Sequence, residues 1–199
     1  LMALFIARLG TVASASHQIA ASMAAVLYML PLSLAIATSS RASFWLGAGR
    51  PHRARAAIGT GLALAIIAGA GQAGLIWLGR ELLAGLYATQ PAVIALAATL
   101  LAWVALFHFF DAIQALCVFV LRCYRITVAP LLVYCILLWG IGLGGGYLLA
   151  YEGLVDRGPT RDPATFWAAG AGALALTALI FLVFLARALR RPASLVRPA

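Results

Sequence analysis

The chain has 199 residues, 65% of them hydrophobic and 10% charged, with a mean hydropathy of +1.04. So few polar side chains cannot cover a water-soluble globule, which excludes the soluble classes and predicts an all-α membrane protein. The net charge of +9 comes from fourteen basic residues, every one an Arg. These lie in short segments beside apolar runs, where membrane topology accounts for them, so no nucleic-acid partner is expected.

Residues 1–7 are apolar but too short to cross about 30 Å of hydrocarbon. No basic segment precedes them as in a signal peptide. They are expected to be the end of a sixth span that starts upstream, with an N-terminal portion missing from the chain. Five charge-poor runs of spanning length follow, at residues 18–40, 56–79, 92–121, 126–151 and 164–186. The first of these carries Pro31 at its middle, which removes a backbone hydrogen bond and predicts a bend.

The third run holds Asp111 within Trp103-Val-Ala-Leu-Phe-His-Phe-Phe-Asp111-Ala-Ile-Gln-Ala-Leu-Cys-Val-Phe-Val120. A carboxylate at bilayer depth costs about 2.5–3.5 kcal/mol on insertion scales, which makes it a functional-site candidate. The other four acidic residues, Glu81, Glu152, Asp156 and Asp162, fall between runs. His108, Asp111 and Gln114 are spaced i, i+3, i+6, and such a polar stripe is expected to face protein or water. Two readings are open to the carboxylate: a functional site, or a protonated or hydrogen-bonded group between helices that only stabilises packing. His108 either orients it or is a packed neutral imidazole.

The fourth run begins near Pro130, which fits the first turn of a helix. It then carries Gly140, Gly142, Gly144, Gly145 and Gly146. Glycines permit close helix contact and also weaken the helix, so tight packing and local unwinding are both open. Trp45, Trp77 and Trp167 fall near run ends as an interfacial belt would, whereas Trp103 and Trp139 fall nearer the middle and either pack or line a cavity.

Ten Arg residues (41, 50, 53, 55, 122, 125, 187, 190, 191 and 197) share one side if the five spans alternate. The other four (8, 80, 157 and 161) share the opposite side with the loop acids. The positive-inside rule then puts the C-terminus in the cytoplasm, in a multi-pass protein of the cell inner membrane. No catalytic motif is present. Cys117, Cys123 and Cys135 lack CxxC spacing, and the spans hold one carboxylate where aspartyl proteolysis needs two. Neither an enzyme nor a metal site is expected.

Several ordered motifs resemble those of the multidrug and toxic-compound extrusion (MATE) transporters, most closely the NorM-like branch. They are Ala15-Ser-His17-Gln18-Ile-Ala20, Tyr28-Met-Leu-Pro31-Leu-Ser-Leu-Ala35, Leu46-Gly47-Ala-Gly49, Asp111-Ala-Ile-Gln114, Leu121-Arg122-Cys123-Tyr124 and Trp139-Gly-Ile-Gly142-Leu-Gly-Gly-Gly146-Tyr147. The resemblance implies a single lobe over residues 1–199, similar to the C-terminal six-helix half of a twelve-helix transporter. Its missing partner would be the N-terminal lobe.

By the same resemblance the whole protein would be a Na⁺- or H⁺-coupled antiporter exporting cationic amphipathic compounds, with Asp111 binding the coupling cation. Gln114 and His108 would lie beside it, and Pro31 and Gly144 would be helix bends. The sequence departs from the family pattern at Ser43 and Cys123, which stand where Gly is usual, at Gly144, which stands for Pro, and at Ser22, which stands for Asn. Two other functions are compatible with five such spans: a lipid-linked oligosaccharide flippase, whose phosphate headgroup calls for cationic residues inside the spans, and a non-transporting packing subunit.

Overall fold

A computed structural model describes residues 1–153 and 158–190. Asp156, Arg157, Arg191 and Arg197, which enter the charge balance above, lie outside the described residues. A short helix α1 (Met2–Ala7) is followed by four long ones: α2 (Thr11–Gly47), α3 (Pro51–Tyr87), α4 (Pro91–Cys123) and α6 (Ala164–Arg190). Between α4 and α6, α5 (Val128–Cys135) opens the remaining span. It continues as wider π-helical segments at Ile136–Gly145 and Leu148–Glu152. Among the described residues, five helices are long and apolar enough to cross a membrane.

The helices outrun the apolar runs. Each of α2 and α3 has 37 residues, and at about 1.5 Å per residue such a helix is roughly 55 Å long, well beyond the hydrocarbon. Apolarity reports only the stretch in lipid; the helix goes on into water until a structural stop. Those stops are legible in chemistry. Gly10 precedes α2 at φ +109°, and Gly49 turns the α2–α3 corner at φ +68°, a backbone region that favours glycine. Pro51 and Pro91 open α3 and α4 in their first turns, where a missing N–H costs nothing.

α4 is central and packs on α2, α3 and α6. Leu116, Val120 and Leu121 of α4 meet Ile58 of α3 and Phe181 and Leu185 of α6 in one fully buried cluster. Small residues set the helix spacing. Gly61 of α3 lies directly against Thr38 of α2, and a Cβ on Gly69 would stand 3.0 Å from that of Ala112 on α4. Cys117 is buried in the same cluster, and all three cysteines are free thiols.

Pro31 lies inside an unbroken α-helix and is buried. Trp167 keeps its expected place near the start of α6 but packs inward. It is 5% exposed, beside His17 at 5.7 Å and Phe107 at 5.5 Å between ring centroids. Position near a span end does not reveal that α6 turns this face inward. The glycine-rich span packs closely on α6 at Gly142 and Gly146, one of the two expected forms, and does not unwind. It stays helical but winds wide, over a length unusual for π geometry, which mostly occurs as single turns.

Candidate functional site

Asp111 occupies the buried middle of α4, one turn after His108 and one before Gln114. Gln114 Nε2 donates to Asp111 Oδ1 at 2.9 Å. The Gln114 side chain is itself buried, so this bond fixes the carboxylate from its own helix. Tyr28 on α2 and Tyr134 on α5 share a cleft with Gln114.

A cleft of about 390 Å³ runs from Gln114 to Arg122 at the end of α4, with Tyr28, Phe119, Tyr134 and Phe181 among its walls. The Arg122 guanidinium sits 4.9 Å above the Phe119 ring, at cation–π distance. Four helices thus contribute to one polar-ended cleft beside the carboxylate. Oxygen and amide groups within reach of a carboxylate suit a hard monovalent cation or a proton, and aromatic walls suit an organic cation. Among the described residues, no group of three His, Cys, Asp or Glu is placed to hold a metal ion.

The polar stripe of α4 is divided. Three residues advance a helix by about 300°, so each i+3 step rotates the side chain back by about 60°. Gln114 stays with Asp111, while His108, 1% exposed, turns to α3. There its Nε2 lies 3.0 Å from Gln72 Oε1. Gln72 Nε2 in turn donates to the Leu27 carbonyl of α2 at 3.4 Å. The structure therefore brings Asp111 and Gln114 together and puts His108 in a separate cross-helix chain.

Sequence reasoning passed over Gln72, Tyr28 and Tyr134 as site residues. A large amide in the otherwise apolar second span was the available signal for Gln72. The tyrosines carried none, because nothing in spacing shows that α2 and α5 converge on α4. The predicted bend residues lie apart from one another. Pro31 follows Tyr28 by three residues on α2, and Gly144 is in the π-helical segment, where a Cβ would meet the Trp139 carbonyl at 3.3 Å. Trp103 and Phe109 line a second, apolar groove of about 720 Å³ between α3 and α4.

The MatE family model matches residues 1–148. The chain belongs to the MatE family. Among its curated relatives, the probable multidrug resistance protein NorM of Aromatoleum aromaticum is 38% identical over 194 residues, 96% of this chain and 41% of the relative. The multidrug resistance protein PmpM of Pseudomonas aeruginosa is 40% identical over 192 residues, 96% of this chain and 39% of the relative. The chain thus spans about two fifths of the length of these MatE relatives. In fold it is similar to the crystal structure of the eukaryotic MATE transporter AtDTX14, with a TM-score of 0.76 at 20% identity over 92% of this chain and 41% of that one. The all-helical membrane fold and the resemblance to the NorM-like branch are both borne out.

Proposed function

We propose that this MatE chain forms one lobe, the C-terminal one, of a two-lobed antiporter that exports cationic amphipathic compounds in exchange for Na⁺ or H⁺. The observation that carries the proposal is the Asp111 carboxylate, held by Gln114 inside an apolar helical bundle. An acidic group there needs a compensating cation, and a proton, Na⁺ or a cationic drug can each supply one. Competition among them for one site gives exchange, because binding one removes the charge that held another. The multidrug-resistance names of the relatives support the substrate class, and their greater length supports a second lobe that supplies the facing wall of a central cavity.

The test is Asp111→Asn in the full-length transporter, which keeps side-chain size and removes the charge. Ion-driven efflux of a dye such as ethidium should be abolished at equal membrane insertion, and imposed Na⁺ and proton gradients, tried separately, identify the coupling ion. His108→Ala should have a smaller effect, since His108 does not contact the carboxylate. Unchanged export by the Asn variant would make the carboxylate structural and end the proposal.

The inner membrane is the proposed location, with the α2–α3 corner cytoplasmic. That corner carries Arg50 and Arg53 stacked on Trp45. Single cysteines at Arg53 and Glu81, at opposite ends of α3, should label from opposite sides; labelling from one side would overturn the orientation.

A further inference from the structure

Pro31 has no N–H, so the carbonyl four residues earlier, that of Leu27, loses its helical donor. In a membrane such a carbonyl must find a partner within the protein. The partner is the Gln72 side chain of α3, whose Nε2 donates to Leu27 O at 3.4 Å. A carbonyl can only accept, which fixes the amide with its NH₂ toward Leu27 and its oxygen toward His108. An amide oxygen also only accepts, so His108 Nε2, 3.0 Å away, must carry the hydrogen. One glutamine therefore joins three helices and selects one histidine tautomer.

Both ends of this chain adjoin the candidate site. Leu27 is the residue before Tyr28, and His108 is one turn before Asp111. We propose that Gln72 is a positioning residue that spaces the Tyr28 turn of α2 from the Asp111 turn of α4, and so sets the geometry in which the carboxylate takes its cation. This rests on the transport reading above and names a residue that acts on the site through Leu27 and His108 without touching Asp111. Proline and glutamine depend on each other here. The proline frees the carbonyl, and the amide uses it as an anchor.

The test uses the full-length transporter in lipid nanodiscs and has two arms. In the first, ¹⁵N-histidine NMR should show His108 as the Nε2–H tautomer alone, its signal assigned by loss in His108→Gln. Gln72→Leu should produce a mixture of tautomers. In the second, Gln72→Leu should raise the ion concentration for half-maximal efflux by about tenfold, as loss of two linked hydrogen bonds would, with the maximal rate less affected.

Pro31→Ala restores an N–H to Leu27. In that background Gln72→Leu should cost less, and this double variant also keeps the test alive if Gln72→Leu alone does not fold. A single tautomer together with unchanged ion dependence in Gln72→Leu overturns the proposal. So does an effect of the same size with and without Pro31. Failure of the transport reading is separate: it appears as export independent of Asp111, while the tautomer arm still reports whether Gln72 holds His108.

Discussion

α4 and the span that begins at Val128 are alike in apolarity and opposite in construction. α4 buries residues along its whole length, from Val93 to Leu121, against three neighbours, and stays α-helical throughout. The Val128 span packs mainly on α6, leaves Leu131, Ile136, Trp139 and Leu148 exposed, and widens into π winding. Apolar composition takes both into the membrane, but only packing on several sides decides which of them is held in a single geometry. The site follows the division. Asp111 and Gln114 come from the clamped helix, and Tyr134 comes from the α-helical turn just before the π winding starts. A rigid carboxylate thus faces a wall whose backbone is less constrained.

Removing a buried side chain from α4 should show this most strongly. Leu116 is fully buried among α3 and α6 side chains, and Leu116→Ala should cost about 2–4 kcal/mol, mostly through the cavity left behind. Leu131→Ala on α5 removes the same atoms from a position 60% exposed and should change stability by less than about 0.5 kcal/mol. Steric-trapping or denaturant unfolding in bicelles measures both. Equal losses would mean that the Val128 span is covered as fully as α4, and would erase the comparison.

A close contact between the loose span and the rigid body sharpens it further. A Cβ on Gly146 would lie 2.8 Å from Phe166 Cδ1 and 3.1 Å from its Cα. The ring can swing away, but the backbone cannot, so Gly146→Ala should cost about 1–3 kcal/mol by overpacking. Gly145→Ala, with nothing within 4 Å of its Cβ, should be neutral or slightly stabilising through helix propensity. The pair, compared by thermal unfolding in detergent, tests whether α6 grips this span at Gly146. Equal effects would count against it.

How much of this was legible beforehand depends on the range of the interaction. The five spans follow from composition and length, which are local quantities, and Asp111 stands out because its cost is set by the medium rather than by any neighbour. The division of the α4 stripe was partly legible, since an i+3 step rotates in a known direction; where His108 ends up was not, because that required knowing that Gln72 of α3 faces it. The inward packing of Trp167 was hidden for the same reason. Proximity to a span end is a one-dimensional signal, and burial on α6 is a three-dimensional one. The π winding had only glycine content behind it, which permits many outcomes and selects none.

The smallest expected effect concerns two residues noticed separately in the sequence. Ser43 and Cys123, which the family resemblance puts at positions where Gly is expected, meet in the fold: Ser43 Oγ donates to Cys123 Sγ at 3.2 Å, and the thiol reaches the Ser39 carbonyl at 3.4 Å. The departures are therefore one contact between the ends of α2 and α4, on the clamped side of the comparison. Sulfur is a weak hydrogen-bonding atom and Ser43 is exposed, so the gain is modest. Ser43→Gly and Cys123→Gly should each destabilise, and the double variant should be less destabilised than their sum by about 0.5–1 kcal/mol. A strictly additive cycle in unfolding measurements would make the two substitutions independent. A coupling of the expected sign would show that Ser43 and Cys123 act together as one polar latch between α2 and α4, on the side of the molecule where packing already holds a single geometry.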